Sequence, residues 1–330
     1  MTPQKLTRHQ LNRIYLDRQL LIQRADMTIT QATERVVGWQ SQIPNPPYIG
    51  LWSRINNFAR HDLTTHMQNR QIVRCAMFRS TLHLISKDDH HRFHRAIEPA
   101  LVKGLRSFHG RNIEGMDIPP VLDFARPYIE EAPRSMGEIG AHLKQIEPNR
   151  EPEALNYTIR TYLPLVQVPP AGTWGVGSKA TYITAKQWLG EGESADVGAL
   201  FLRYLAGYGR ASVMDFQTWT GMTKLGEVVA SLKPQLRVFV DENGVELYDL
   251  PDMPLPDVDM PVPVKFIPEY DNLLIGHADR TRILPEDHRK QVFLSAGRVE
   301  NRDEKTRGDA QHHAIYRAIK YAKIRPHRRG

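Results

Sequence analysis

Residues 72–86 read Ile-Val-Arg-Cys-Ala-Met-Phe-Arg-Ser-Thr-Leu-His-Leu-Ile-Ser, and this stretch decides the expected fold. Its β-branched residues and its alternation of apolar and polar side chains predict two antiparallel strands. Three amphipathic segments precede it, over residues 6–24, 30–40 and 61–69, and each predicts a helix. Helices followed by a hairpin are the element order of a winged helix.

The same order recurs twice further along the chain. Helices are predicted over 120–131, 135–146 and 151–161, with strands at 163–170 and 181–184. Helices are predicted again over 195–207, 212–220 and 224–232, followed by a hairpin over 236–250 whose turn is Asn243-Gly244, a strong hairpin signal. The pattern therefore predicts a mainly α protein with β wings (α+β), built from tandem winged-helix units over residues 1–115, 116–192 and 193–252.

The rest of the sequence, from residue 253, divides at about residue 300. A proline-rich linker over 251–263 leads into the apolar segment 264–275, which predicts a strand, so that 253–299 is expected to be a β-rich, barrel-like part. Residues 300–330 are rich in Arg, Lys and His and predict a loosely ordered basic tail.

Charge is unevenly distributed over the 330 residues. The net charge is +7, but residues 1–115 carry +9, residues 116–297 carry −8 and residues 298–330 carry +6. The basic first third would attract an anionic polymer such as a nucleic acid. Alternatively, it is a solvated face that docks on the acidic middle of the same chain. Charge alone leaves both interpretations open.

Composition excludes several classes of protein. Cys75 is the single cysteine, so neither an intrachain disulfide nor a cysteine-based zinc site is expected, which fits a reducing cytoplasm. The charged N-terminus is unlike a signal peptide, and no segment has the length and apolarity of a membrane span. The chain has no HExxH, phosphate-loop or GxSxG motif. His90 and His94 share a helical face, and are interpreted as surface histidines rather than metal ligands.

One stretch, Trp39-Gln40-Ser41-Gln42 followed by Pro44 and then Tyr48, Trp52 and Arg54, suggests chemistry. Two amides at a helix end could reach one site, and the aromatic and basic residues around them could stack on bases and pair with phosphates. Alternatively, the glutamine side chains cap the helix and satisfy loop carbonyls. The residues alone favour the cap.

Four separated motifs, in the same order, resemble the AlkZ/YcaQ-like winged-helix DNA glycosylases of bacteria. They are Gly38–Arg54 (GWQSQIPNPPYIGLWSR), Phe78–Leu84 (FRSTLHL), Leu165–Pro170 (LVQVPP), and Pro268–Leu274 (PEYDNLL) with His277–Arg280 (HADR). The resemblance runs from about Leu6 to about Arg298. It implies tandem winged helices, a C-terminal β-barrel and a C-shaped clamp on DNA. In that family the middle residue of the glutamine motif is aliphatic, whereas this chain has Ser41. The family's apolar barrel strands are replaced here after Val299 by the charged tail, which predicts an incomplete β-rich part.

The resemblance implies a monofunctional DNA glycosylase that excises alkylated, cationic purines from double-stranded DNA, including bulky adducts or crosslinks, without metal or cofactor. The alternative is a non-catalytic winged-helix DNA-binding or regulatory protein. A monomeric, cytoplasmic, nucleoid-associated protein without a membrane partner is expected. The site residues divide into three groups: catalytic residues Gln40 and Gln42; DNA-binding residues Trp39, Tyr48, Trp52, Arg54, Arg74, Arg79 and His83; and further family-motif residues Asp271, Asn272, His277 and Arg280.

Overall fold

The structure is a computed structural model that describes residues 3–286. Short polar side chains begin several helices of the first third: the hydroxyls of Thr7, Thr28 and Ser86 accept hydrogen bonds from main-chain N–H groups of the first turn. Thr7 and Thr28 begin predicted helices, whereas Ser86 begins a helix that lies outside the three segments predicted from the sequence. The elements are β1 (Gln4–Lys5), α1 (Arg8–Arg18), α2 (Ile29–Arg35), β2 (Trp39–Gln40), α3 (Pro46–Arg54), α4 (Arg60–Gln68), β3 (Ile72–Ala76), β4 (Leu82–Ser86), α5 (Lys87–Phe93) and α6 (Glu98–His109).

The middle of the chain repeats helices and then strands, as expected. Ser135 begins a helix as part of a capping box with Glu138, in which the two residues exchange side-chain and main-chain hydrogen bonds. The elements are α7 (Ile118–Glu131), β5 (Arg134–Ser135), α8 (Met136–Leu143), α9 (Pro152–Tyr162), β6 (Leu165–Val168), β7 (Thr181–Thr184) and α10 (Ala185–Leu189).

The third predicted group of helices and its hairpin are also confirmed. A Ser212–Asp215 capping box begins the middle helix, and Gly244 takes the left-handed φ of +82° that the hairpin turn requires. The elements are α11 (Val197–Tyr208), α12 (Val213–Thr220), α13 (Gly226–Leu232), β8 (Arg237–Val240) and β9 (Glu246–Asp249).

Strands from the first two predicted units form one sheet. Its order is β2-β4-β3-β6-β7-β5, with every neighbouring pair antiparallel, and the two units meet where β3 pairs with β6, Arg74 opposite Gln167 and Cys75 opposite Val166. The hairpin of the third unit forms a separate sheet, β1-β8-β9, in which β1 runs parallel to β8. The α+β class is therefore confirmed, with the first and second units more closely joined than expected.

The two faces of the six-stranded sheet pack on different cores. Leu84 and Ile72 face a small cluster made with α2, α3 and α4, whereas Cys75 and Ile85 face the main cluster, to which α11 and α12 contribute. Because side chains alternate along a strand, Gln40 lies on the side of the main cluster and its neighbour Trp39 on the side of the small one.

The strand expected over 264–275 is absent. This segment is extended chain followed by a 3-10 turn at Asn272–Leu274, and its apolar residues Ile267 and Leu273 are buried in the main cluster without strand pairing. A run of apolar residues indicates that a segment is buried, and a buried segment need not be a strand. The rest of the predicted β-rich part, from residue 287, and the tail over 300–330 lie outside the described residues. Among residues 3–286, no helix is both long and apolar enough to cross a membrane.

Candidate active site

Gln40 and Gln42 lie on a strand and the loop that follows it, and the expectation of a helix end is wrong. Helix α2 stops at Arg35, and Gly38, at a φ of +81°, turns the chain into β2, where Gln40 pairs with His83 of β4. A Cβ at position 38 would lie 3.0 Å from the Leu84 carbonyl oxygen. Gln40 is in the strand and Gln42 is in the bend that follows it, so both amides belong to one short segment without any fraying of a helix.

Arg79 holds the side chain of Gln40. Its Nη2 donates to Gln40 Oε1 at 2.8 Å, and its Nη1 donates to the main-chain carbonyl of Trp219, at the end of α12. Arg79 has a left-handed φ of +54°, and Gly221 lies against it so closely that a Cβ there would be 3.0 Å from Arg79 Cα. Burial lowers the pKa of Arg79 to about 10, so the guanidinium still carries its charge at neutral pH.

Arg74 holds the main chain of the same segment. Its Nη2 donates to the carbonyl oxygens of Ser41 at 2.7 Å and Gln42 at 3.1 Å, its Nε donates to Ser41, and its Nη1 donates to the side-chain oxygen of Gln167 on β6. Burial lowers the pKa of Arg74. Two arginines, the buried Arg74 and the half-buried Arg79, therefore fix the glutamine segment.

The exposed side chain of Gln42 completes the edge of the sheet. Ser41 N donates to Leu82 O at 2.7 Å, but the Ser41 carbonyl is bound by Arg74 and Leu82 N lacks its usual acceptor. Gln42 Oε1 accepts that hydrogen bond instead, at 3.0 Å. Ser41, the polar middle residue of the motif, is fully buried, and its hydroxyl lies 3.2 Å from Arg74 Nε.

The orientation of both amides follows from their partners. A guanidinium and a main-chain N–H can only donate, so each must meet the carbonyl oxygen of its glutamine. Each oxygen keeps a second lone pair, and among residues 3–286 neither amide nitrogen has a hydrogen-bond partner. Both amides are thus fixed yet retain donors and acceptors for a ligand.

Trp39 and Tyr48, predicted to contact DNA, are buried instead. Trp39 Nε1 donates to Thr33 at 3.0 Å, and the Tyr48 hydroxyl is 2.9 Å from Thr64 Oγ1 and accepts from Trp174 N. These contacts occupy their polar atoms and rings. Trp52 differs, because 45% of its side chain is exposed and the guanidinium of Arg24 stacks 4.8 Å from its ring centre.

Arg54 is buried and paired with a family-motif residue from the far end of the described chain. Its two terminal nitrogens donate to Asp271 at 2.9 and 2.7 Å, and its Nε donates to the main chain of Gln19. Asn272 donates from its side chain to the Val36 carbonyl, beside the turn that starts β2. The C-terminal motif therefore supports the glutamine segment, and Arg54 has no free donor edge for a phosphate.

His83 and His277 are buried as well. Burial and the nearby charge of Arg79 lower the pKa of His83 to about 3, so it is neutral, with Nδ1 3.0 Å from the Thr81 carbonyl oxygen. Burial also lowers the pKa of His277, whose ring stands edge-on to Tyr15 with Nδ1 3.5 Å from Asp215. Arg280 lies in a 3-10 turn, near enough to Arg79 for its charge to lower the pKa of Arg79 further.

His90 and His94 were interpreted as surface residues, and this interpretation is wrong. His90 and His94 are buried with their rings 5.0 Å apart, although a surface position was expected. Within residues 3–286 no three histidine, cysteine or acidic side chains are grouped as metal ligands.

Trp219 and Gly221 contact Arg79 through the tertiary structure, and no local sequence pattern reveals such contacts. Cys75 is buried as predicted, and burial raises its pKa to about 12.

The chain is similar to known proteins in both fold and sequence. The structure is similar to that of the Streptomyces sahachiroi DNA glycosylase AlkZ, with a TM-score of 0.76 and 15% sequence identity over 97% of this chain and 98% of that one. No curated protein sequence matches the chain. The family model described as DNA glycosylase AlkZ-like matches residues 33–306, which include all four motifs. Since this match covers most of its length, the chain belongs to the AlkZ-like family of DNA glycosylases.

Proposed function

We propose that this protein is a monofunctional DNA glycosylase that releases alkylated, cationic purine bases from double-stranded DNA, with bulky adducts or crosslinks among its substrates. The observation that carries the proposal is the pair of glutamine amides, each fixed through its carbonyl oxygen by an obligate donor. We place these amides in the first of three winged-helix units, which cover residues 1–115, 116–192 and 193–252.

The chemistry suits neutral amides. Alkylation at a ring nitrogen makes the purine cationic and a good leaving group, so little general acid is needed. The enzyme must stabilise a sugar with oxocarbenium character and place a water molecule against it. Gln42, exposed and fixed at Leu82, is suited to hold that water, and Gln40, half-buried behind it, to contact the sugar or the water.

Arg79 has an orienting role in this proposal. A charged guanidinium beside a developing cation would oppose the reaction, but its donors are directed to Gln40 Oε1 and to the Trp219 carbonyl. The arginine thereby fixes the amide, and the neutral amide faces the substrate. No lysine is assigned to the site, so neither a Schiff base nor strand cleavage is expected.

The DNA-binding residues divide by exposure. Trp52, with Arg24 stacked on it, is available for stacking or phosphate contact. The others would act through the segments that they hold, because each has a hydrogen bond within the protein: Trp39, Tyr48, Arg54, Arg74, Arg79 and His83.

Release of a 7-alkylpurine from duplex DNA tests the proposal. Gln42→Ala is expected to slow release by more than about tenfold, or about 1.4 kcal/mol of transition-state stabilisation, with binding to undamaged DNA unchanged. Gln40→Ala is expected to behave similarly. Gln68→Ala, which removes an exposed amide at the end of α4, is the matched control and should not alter release.

The products separate the remaining possibilities. A monofunctional enzyme leaves an intact strand with an abasic site, so cleavage without added base would contradict that class. DNA binding without any base release would favour the non-catalytic DNA-binding or regulatory protein. Undiminished release by a folded Gln40→Ala, Gln42→Ala double variant would exclude the amides from the chemistry.

A further inference from the structure

We propose that the exposed side of α6 and the adjoining part of α9 form the surface on which the DNA duplex lies beside the damaged nucleotide. This inference rests on the proposed function and adds a location for the duplex. The α6 surface, as we call it, consists of Lys103, Arg106, Phe108, Arg111, Tyr157 and Arg160.

A shallow groove runs along this side of the helix. It is an open depression of about 580 Å³, and all the residues that line it belong to α6: Glu98, Pro99, Val102, Lys103, Arg106 and Ser107. Lys103 and Arg106 are three residues apart, so they lie side by side on the helix. An apolar floor with adjacent cations suits a sugar-phosphate backbone, whose sugars are apolar and whose phosphates are anionic.

The cations of the α6 surface are not neutralised by the protein. Among the described residues, none of Lys103, Arg106, Arg111 and Arg160 forms an ion pair. Within residues 98–114 three cations, Lys103, Arg106 and Arg111, outnumber the two acidic residues, Glu98 and Glu114, whereas Arg160 shares α9 with Glu153. By contrast, Arg134 and Arg150 of the following unit are paired with Glu131 and Glu147. The excess positive charge complements DNA.

An exposed aromatic ring, that of Phe108, lies beside the half-buried Tyr157 near the end of α6. Phe108 is 71% exposed, more than any other large apolar side chain among the described residues. Its ring centre lies 5.9 Å from that of Tyr157, and the guanidinium of Arg160 stacks 4.1 Å from the same tyrosine ring. Aromatic rings next to arginine are typical of nucleic-acid surfaces, so these two rings suit stacking on a base or packing on a sugar.

Direct contacts connect the α6 surface to the glutamine pair. The Tyr157 hydroxyl is 3.0 Å from Ser80 Oγ, and Ser80 follows Arg79, which holds Gln40. Gly104 allows this approach, because a Cβ there would lie 2.7 Å from Ser80 Cβ. Lys103 Nζ also donates to the carbonyl of Gly221, the glycine that packs on Arg79. A duplex with one nucleotide at Gln40 and Gln42 would therefore extend over α6.

Binding of an undamaged duplex tests this surface without requiring catalysis. In fluorescence anisotropy titrations over a range of salt concentrations, Arg106→Ala is expected to weaken binding several-fold and to reduce the salt dependence by about one counterion. Phe108→Ala is expected to weaken binding with little change in that slope, because it removes contact area without charge. Thermal melting of each variant checks that the fold is kept.

Arg126→Ala is the matched control. Arg126 is exposed on α7, which packs against β7, several strands away from β2 in the six-stranded sheet, so its loss should not alter binding. Equal effects of Arg106→Ala and Arg126→Ala in folded proteins would overturn the α6 surface. Selective weakening by Arg106→Ala in a protein that releases no base would support this surface and overturn the proposed function instead.

Discussion

Arg79 carries the most specific prediction at the scale of single residues. In the proposed mechanism Arg79 acts through Gln40, so Arg79→Ala should slow base release by about tenfold, or about 1.4 kcal/mol, with a smaller change in KM. The amide would lose the donor that orients it. Single-turnover kinetics with an alkylated duplex measure this effect.

A double variant separates positioning from general damage. In the Gln40→Ala background, Arg79→Ala should slow release little further, because the side chain that it orients is already gone. Additive losses in the two single variants and the double variant would show that Arg79 acts by another route, for example through its bond to the Trp219 carbonyl.

The Arg54–Asp271 ion pair shows why charged residues were hard to assign from the sequence. Arg54 follows two aromatic residues and resembles a phosphate ligand, but a carboxylate 217 positions later binds it in the interior. Asp271→Ala should therefore lower the free energy of unfolding by about 3–5 kcal/mol, because it leaves a buried guanidinium unpaired. Urea titration measures this. The double variant Arg54→Met, Asp271→Leu should recover much of the loss, and no recovery would mean that the pair contributes more than its charge balance.

At the scale of elements, local signals predicted most helices and both main hairpins. Threonine and serine caps and the Asn243-Gly244 turn act within a few residues, so they can be recognised in the chain itself. Strand β2 is two residues long and has no periodicity to detect. Helix α3 was missed because its prolines were interpreted as a stop, although Pro46 occupies the first turn, where proline is tolerated.

The packing of α3 on β2 gives a prediction for the site. A Cβ on Gly50 would lie 2.8 Å from the ring of Trp39, the neighbour of Gln40, so Gly50→Ala must displace one element. We expect a loss of about 1–3 kcal/mol in stability and slower base release. Gly226→Ala is the matched control, because nothing lies within 4 Å of its Cβ position at the start of α13. It should be neutral or stabilising by up to about 1 kcal/mol, and equal losses in both variants would contradict this account.

At the scale of the whole molecule, the features that the sequence did not predict depend on strands that pair although they are far apart in the chain. The contact of β3 with β6 joins two units that look separate in the chain, and it brings Gln167 to Arg74, which holds the glutamine segment. No local pattern reports such a register. The motif indicates the glutamine pair as candidate residues, whereas their support by Arg74 and Arg79 requires the assembled sheet.

Stability should fall in mild acid because several histidines are buried and neutral. Burial lowers the pKa of His83 to about 3 and of His94 to about 4, and it lowers the pKa values of His90 and His277 as well. In the unfolded chain a histidine binds its proton near pH 6.5, so only the unfolded state gains protons as the pH falls through that value. Each such group lowers the free energy of unfolding with falling pH.

Asp89 opposes this trend in part. Burial raises its pKa to about 6 despite its ion pair with Arg203, so the folded state binds a proton there between about pH 6 and 4 and the unfolded state does not. Because Asp89 offsets the contribution of one histidine, we expect the free energy of unfolding to fall by about 2–3 kcal/mol between pH 6.5 and pH 5.5. Urea titrations at pH 7.5, 6.5 and 5.5 measure the loss.

His90→Leu should reduce this loss of stability by the contribution of one histidine, about 1 kcal/mol, because both ring nitrogens of His90 are buried without partners in the described chain. Equal stability of the wild-type protein at pH 7.5 and 5.5 would mean that these histidines take up protons in the folded state.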